Sequence, residues 1–390
     1  MRHALVISEV ALAVVVLVGS LLLIRSFIAL SKTPTGMSLS NTAIAQITIP
    51  RATYDTPDKI AAFHQRLTAR LAALPGVTVA SAGYPLAMSG EAWSGSLSVV
   101  GVPEGPGLPE PHAEYAVVTP GFFRSTGIPM IAGRDFTAAD TKNAPLVAIV
   151  DEDFARRFWP GESALGKQIA TSGELQKGPF ETVVGVVGHT LRGGARAHGE
   201  PQLYLSAYQN AQTNLFYLAR TSGDARGLLG AMRAAVREED PRLPIAKLST
   251  GDEMTRTFTA RDRFNVLLFS VFGLVALVLA AGGIYGVLAS LVAQRTREIG
   301  IRLALGGKPG GVIRRLIGEG LVLGGVGLAV GLVVAAVAAH SIESMLFQIK
   351  PTDLVSYGTI AAIVLGVSAI ASYVPARRAA AIDPIETLRA

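Results

Sequence analysis

The chain has 390 residues, of which 50% are hydrophobic and only 16% charged, and its mean hydropathy is +0.42. A soluble protein of this length needs more charge to cover its surface and a disordered one fewer aliphatics, so both classes are excluded in favour of a folded domain plus membrane spans. Basic residues outnumber acidic ones, 35 to 29, and the absence of cysteine removes disulfides, zinc ribbons, iron–sulfur ligation and thiol catalysis together.

In chain order, the first apolar run covers residues 4–24 and is broken only by Ser8 and Glu9. About 20 apolar residues cross about 30 Å of hydrocarbon, so this run is long enough to span. It is long for a signal peptide and no clear A-x-A site precedes Lys32, which favours an uncleaved anchor. Glu9 is expensive inside lipid and is expected at the cytoplasmic boundary, near the positive end of the helix dipole.

Residues 33–262 read as α+β, with strands predicted over 43–49, 96–100, 113–118, 146–150, 182–187 and 215–220, and helices over 59–73, 152–158 and 226–238. Pro57-Asp58 start the first of these helices and Pro75-Gly76 stop it, while residues 101–111 (GVPEGPGLPEP) form a loop. More than one α/β subdomain is expected. Residues 161–167 fit G-x-x-x-x-G-K, the pattern that wraps phosphates in backbone N–H groups. The next residue should supply a hydroxyl for magnesium but is Gln168, and Phe158-Trp159-Pro160 upstream is no buried strand, so nucleotide binding here is rejected. His3, His64, His112, His189, His198 and His340 lack ligand spacing, and neither H-E-x-x-H nor G-x-S-x-G occurs. The chain is expected to hold no metal, no cofactor and no catalytic centre.

Three more apolar runs follow, at 264–294, 320–342 and 354–376. Between the first two of them lie Arg295, Arg297, Arg302, Lys308, Arg314 and Arg315 against Glu298 and Glu319, and Arg377, Arg378 and Arg389 follow the last. The 343–353 loop holds only Lys350 with Glu343 and Asp353. The positive-inside rule therefore puts 295–319 and both termini in the cytoplasm, and 33–262 outside. The net charge of +6 is explained by these loops, without nucleic acid. The pairs Gly282/Gly286, Gly320/Gly324 and Gly327/Gly331 have the G-x-x-x-G spacing that lets helices approach closely, within one chain or between two.

Directly after the second span, QRTREIGIRLAL (294–305) reads as a helix, with Glu298 and Arg302 paired at i, i+4 and Ile299 and Leu303 on an adjacent stripe. Arg295, Arg297, Glu298, Ile299, Arg302 and Leu303 make this segment a candidate coupling site. From spacing alone it is either a juxtamembrane helix on acidic lipid or a docking element for a cytoplasmic partner.

At these residues the chain resembles the MacB/FtsX-like family of ABC transporter permeases, and the resemblance covers nearly the whole sequence. Residues 263–307, with GIYGVLASLVAQRTREIGIRLALGG, are similar to the family's second span and coupling segment, and PARRAAAIDPIETLRA (375–390) to its C-terminal signature. VVTPGFFRSTGIPMIAGRDFTAAD (117–140), VAIVDEDFARRFWPGESALGKQI (147–169) and TVVGVVGHTLRGGARAHGEPQLYL (182–205) are similar to the MacB-like periplasmic core domain. The near-phosphate loop thereby becomes a structural segment of the family.

The resemblance implies a transmembrane helix at 1–30, a MacB-like periplasmic core domain at 33–262, and an FtsX-like permease domain at 263–390 with spans at about 264–294, 320–342 and 354–376. It implies a fold of four transmembrane α-helices with a large α+β extracytoplasmic domain between spans one and two, in the bacterial inner membrane. ATP is implied on a partner ABC ATPase subunit, whose closure moves the coupling helices and, by mechanotransmission, the outer domain. Other implied partners are a second permease module (a homodimer or another half), membrane lipid and a periplasmic adaptor. The opening RHALVISEVALAVVVLVGSLLLIRSFIAL looks like the start of the second half of double-length, eight-span permeases, which leaves a half-module or split gene product open. The leading functional expectation is a permease subunit exporting or extracting an amphiphile. The alternatives are a non-transporting envelope regulator of a cell-wall hydrolase and a membrane-anchored sensor.

Overall fold

The computed structural model describes residues 2–103, 110–171, 179–192, 199–296, 298, 299, 301, 305, 308–343 and 346–381. The chain divides into two compact units, Met1–Lys32 with Arg261–Ala390, and Thr33–Ala260.

Helix α1 (Arg2–Lys32) opens the chain. The second unit is then built on one sheet of 12 strands: β1 (Thr42–Thr48), β2 (Val77–Tyr84), β3 (Ser94–Ser96), β4 (Ser98–Val99), β5 (His112–Val118), β6 (Met130–Gly133), β7 (Val147–Asp151), β8 (Gln168–Ala170), β9 (Glu181–Val187), β10 (Gln202–Ser206), β11 (Asn214–Thr221) and β12 (Ile245–Thr250). The spatial order is β12-β1-β11-β2-β5-β10-β7-β9-β8-β4, with β3 on β5 and β6 on β9. Only β5/β10 and β7/β9 pair in parallel. Thr33–Ala260 is thus one compact unit on a single continuous sheet, where two or more subdomains are expected from sequence.

The period of two explains why this sheet is covered on both faces. Ala43, Ala45 and Ile47 of β1 and Leu215, Tyr217 and Ala219 of β11 enter one core, with Phe63, Leu67 and Leu71 of α2 (Pro57–Ala72) and Met232 and Val236 of α5 (Leu228–Glu239). Ile44, Phe216 and Leu218 point the other way, into a core with Phe122 and Phe123 of α3 (Phe122–Thr126) and Met254 of α6 (Gly251–Phe258). Strands buried on both sides read as weakly alternating, so β2 and β10 are not predicted from sequence; β6, β8 and the half-exposed edge strand β12 are not predicted either. In β2 the run Ala80–Gly83 dilutes the β-branched signal, and it is small for a reason: a methyl on Gly83 would lie 2.5 Å from the Phe122 ring.

Helix starts follow local chemistry. Thr56 caps α2 with Pro57 in its first turn, and the Thr250 and Glu253 side chains of α6 exchange hydrogen bonds with each other's backbone N–H. Asp151 is fully buried and caps α4 (Glu152–Phe158) by accepting from Phe154 N at 2.8 Å; it also accepts from Gln202 N at 3.0 Å and His189 Nδ1 at 2.5 Å. A buried carboxylate with this many donors ties β7, β9's following loop and β10 together.

The first unit adds α7 (Ala260–Gln294), α8 (Pro309–Ser341) and α9 (Leu354–Ala380) to α1. All four are long and apolar enough to cross a membrane. Helix α8 begins well before its apolar run because Pro309 suits a first helical turn and VIRRL continues it. Its glycines seat the neighbours. A methyl on Gly327 would lie 2.7 Å from Val10 Cβ and one on Gly331 2.6 Å from Val14 Cβ, both on α1. On the α9 side, methyls on Gly320 and Gly324 would each lie 2.9 Å from Cβ of Ser372 and Ser368. The Ser368 and Ser372 hydroxyls return to their own helix, at Val364 O and Ser368 O. Gly282 and Gly286 of α7 have nothing within 4 Å. Equal spacing therefore marks a packed stripe on α8 and an open one on α7.

Two predictions follow from packing. Gly327→Val and Gly331→Val should each destabilise the detergent-solubilised chain by roughly 1–3 kcal/mol through overpacking, whereas Gly286→Val leaves the melting temperature unchanged; equal effects at all three would contradict the assignment. His64 of α2 is buried, with Nδ1 2.6 Å from the Tyr217 hydroxyl and Nε2 2.8 Å from Gln212 O, and burial lowers its pKa from 6.5 to about 4. Its contribution is complete above pH 6.5 and is lost as pH falls towards 4, a change of up to roughly 3 kcal/mol. His189 behaves oppositely: the Asp151 carboxylate raises its pKa, so its contribution is complete below 6.5 and fades as pH rises through the raised value. In thermal melts of a Thr33–Ala260 fragment, His64→Asn should flatten the limb between about pH 6.5 and 4 while lowering stability at neutral pH. An acid limb of unchanged steepness would refute this role.

Candidate functional site

The link between α7 and α8 is short and highly charged. Arg295 N closes α7 by donating to both Leu291 O at 3.0 Å and Val292 O at 3.1 Å. Helical bonding resumes beyond it, from Ile299 N to Arg295 O at 2.9 Å and from Leu305 N to Ile301 O at 3.0 Å. Arg295 Nη1 lies 3.6 Å from Glu319 Oε1, and Arg315 Nε lies 3.5 Å from the same oxygen, so one carboxylate steadies both ends of the link. Glu298 is exposed. Arg297, Arg302 and Leu303 lie outside the described residues, as do 382–390 of the C-terminal signature.

Ile299 is half-buried and packs on a small cluster with Leu316 of α8 and Ala376 and Ala379 of α9, together with Val292, Val312 and Ile313. It therefore anchors the segment to its own chain. Among the described residues, the apolar side chains left outside are Ile301, 43% exposed, and Leu305, 84% exposed. At about 100° per residue, Ile301 is turned about 200° from Ile299, and Leu305 joins it one turn later. The sequence reading passed over this second stripe because Ile299 and Leu303 had already satisfied the helical pattern. The signal that could have found it is a large leucine followed at once by Gly306-Gly307.

At the same end of α9, Arg378 Nη1 donates to the Tyr285 hydroxyl of α7 at 3.0 Å. Gly327 and Gly331 sit in the α1–α8 contact, and Gly282 and Gly286 face away from the rest of the bundle.

The near-phosphate loop is a turn between α4 and β8. Gly166 N donates to Val183 O at 2.8 Å, Lys167 N to Ala164 O at 3.2 Å, Glu162 N to Trp159 O at 3.1 Å and Leu165 N to Ser163 Oγ at 3.3 Å. These four N–H groups are spent within the turn, and Lys167 Nζ pairs with Glu162 at 2.5 Å. Among the described residues no three His, Asp or Glu side chains come together as metal ligands. His64 belongs to the core, His189 to the Asp151 hub, and His198 lies outside the described residues.

Comparison with known proteins agrees with this arrangement. The MacB-like periplasmic core domain matches residues 4–237, and the FtsX-like permease C-terminal domain matches residues 270–384. The Macrolide export ATP-binding/permease protein MacB of Chromobacterium violaceum is 25% identical over 289 residues, 68% of this chain and 42% of the relative. The Probable syringafactin export ATP-binding/permease protein SyfD of Pseudomonas syringae pv. tomato is 27% identical over 294 residues, 71% of this chain and 42% of the relative. The periplasmic region of MacB from Actinobacillus actinomycetemcomitans covers 59% of this chain and 97% of its own, at 13% identity and a TM-score of 0.38. The match thus spans less than half the length of these full-length relatives. With four apolar helices, an α+β unit between the first and second of them, and domain matches across most of its length, the chain belongs to the MacB/FtsX-like family of ABC transporter permeases.

Proposed function

We propose that the chain is the permease subunit of an ABC exporter, in which a separate ATPase docks on the segment after α7 and drives movement of the extracytoplasmic unit by mechanotransmission. The observation that carries this reading is the exposed pair Ile301 and Leu305, beyond the end of α7, where Ile299 and the Arg295–Glu319 pair fasten the chain to the bundle. An apolar pair on a charged link, beyond the apolar core of the spans, suits a cleft in a partner protein better than water. Arg295, Arg315 and Lys308 around it would meet an acidic rim and set the register of docking.

The substrate class in this reading is an amphiphile handled outside the membrane. The relatives named for macrolide and syringafactin export support it. ATP is bound and hydrolysed by the partner, and the chain itself performs no catalysis. The working assembly pairs this chain with a second permease module in the inner membrane and admits a periplasmic adaptor. The basic 295–319 segment and both termini face the cytoplasm.

Truncating Ile301 and Leu305 to Ala should each weaken the complex by roughly 1–3 kcal/mol, about five- to 150-fold in affinity. Co-purification with the cognate ATPase, and substrate-dependent ATP hydrolysis in liposomes, measure the loss. Undiminished assembly and turnover in the double variant would leave this segment a lipid-surface helix.

Topology is tested in the same cysteine-free background. A single cysteine at exposed Ser222 should react with an impermeant maleimide on intact spheroplasts, and one at exposed Lys308 only after permeabilisation. The reverse pattern would invert the orientation.

A further inference from the structure

The end of the bundle where α8 gives way to α9 is closed by polar contacts that neither the spans nor the coupling segment requires. Arg25 of α1 forms an ion pair with Asp353, and its Nη1 lies 3.2 Å from Ser356 Oγ. Asp353 is at the same time the N-cap of α9, accepting from Ser356 N at 2.8 Å and from Ser356 Oγ at 2.6 Å. The neighbouring Ser26, buried on α1, accepts the Phe347 N–H at 2.8 Å, and Leu346 and Ile349 rest on the bundle core. The loop leading into α9 is therefore fastened across α1 by a charge pair and a main-chain hydrogen bond.

Along their length the same helices meet where glycines remove the side chain. Val10 and Val14 of α1 fill the notches at Gly327 and Gly331, and Ser368 and Ser372 of α9 fill those at Gly320 and Gly324. Helix α7 is held differently. Ser20 Oγ of α1 donates to Phe269 O at 2.7 Å, and methyls on Gly273 and Gly283 would first meet the ends of α1 side chains, Leu17 Cδ2 at 3.3 Å and the Glu9 carboxyl carbon at 3.2 Å, rather than Cβ or backbone atoms. Ala280, Ile284 and Leu288 reach the core through side chains, while Phe264, Leu267 and Val271 stand exposed. Contacts between side-chain ends can be exchanged one by one, whereas a ridge seated in a glycine notch must leave as a whole.

We propose that the Arg25–Asp353 clasp makes α1, α8, α9 and the loop between the last two one rigid body, against which α7 is the helix that shifts. Near the membrane boundary the pair is only partly hydrated, so removing one charge leaves the other without its partner in a poor solvent. The inference rests on the permease reading only for its purpose: a stroke delivered just after α7 would enter through the helix able to move. Its geometry needs no ATPase, so the two can fail separately.

The test uses the full chain in lipid nanodiscs with spin labels on introduced cysteines, the native chain having none. One pair, Ile28→Cys with Val355→Cys, reports α1 against α9, and the other, Ile28→Cys with Leu267→Cys, reports α1 against α7; all three positions are exposed. The first pair should give one narrow distance distribution and the second a broad or two-component one, a comparison that needs no clasp variant. Asp353→Asn keeps a good helix cap but removes the charge. It and Arg25→Gln should each add a second, longer component to the α1–α9 distribution, and Arg25→Lys should keep it single. An α1–α7 distribution as narrow as α1–α9, or an α1–α9 distribution unchanged by both charge-removing variants, would overturn the proposal.

Discussion

Four positions without side chains on α8 decide how the membrane unit is put together. Between helices in lipid there is no water to expel, so association depends on how closely surfaces fit. Gly320 and Gly324 admit serines from α9, and Gly327 and Gly331 admit valines from α1. Each approach multiplies weak dispersion contacts that a methyl group would prevent. Helix α8 is thus the centre of the unit, and α7 receives what remains. Since residues 33–260 are joined to α1 at one end and to α7 at the other, the two connections of the outer unit run into helices held by different means.

The outer unit meets a different demand. A sheet covered on both faces must satisfy every polar group it buries. Asp151 answers for β7, α4 and β10 at once, and Gln202 bridges Thr190 Oγ1 at 2.7 Å while its own N–H goes to Asp151. His64 and Tyr217 do the same on the other face, with burial holding the histidine neutral and raising the tyrosine pKa well above 10. Polar side chains here fix the register of elements that the apolar core alone would leave free to slide.

How far this was legible varies with the physics involved. The spans were plain because apolar runs of that length have few other uses in a folded chain. Helices α2 and α4 were plain from their caps and periodicity. Strands β2 and β10 were hidden because small residues and burial on both faces erase alternation. The segment after α7 was half legible: charge and helicity could be read, but the pattern of Ile299 and Leu303 gave no hint that Ile299 turns into its own chain while Ile301 and Leu305 stay outside. Glycine spacing was equally mute, since Gly282/Gly286 and Gly327/Gly331 are alike in sequence and differ only in what lies opposite. The Arg25–Asp353 pair joins residues too far apart in sequence for any spacing rule to connect them.

The large sheet is open, and its two ends are β4, Ser98–Val99, and β12, which carries Lys247. An unpaired strand edge is a template for another chain, and a very short strand or a lysine on the edge discourages that pairing. Here one end offers hardly any ladder to extend, and the other would bring like charges together if two copies aligned. Outer units crowded along a membrane surface can therefore lie side by side without zipping into a shared sheet.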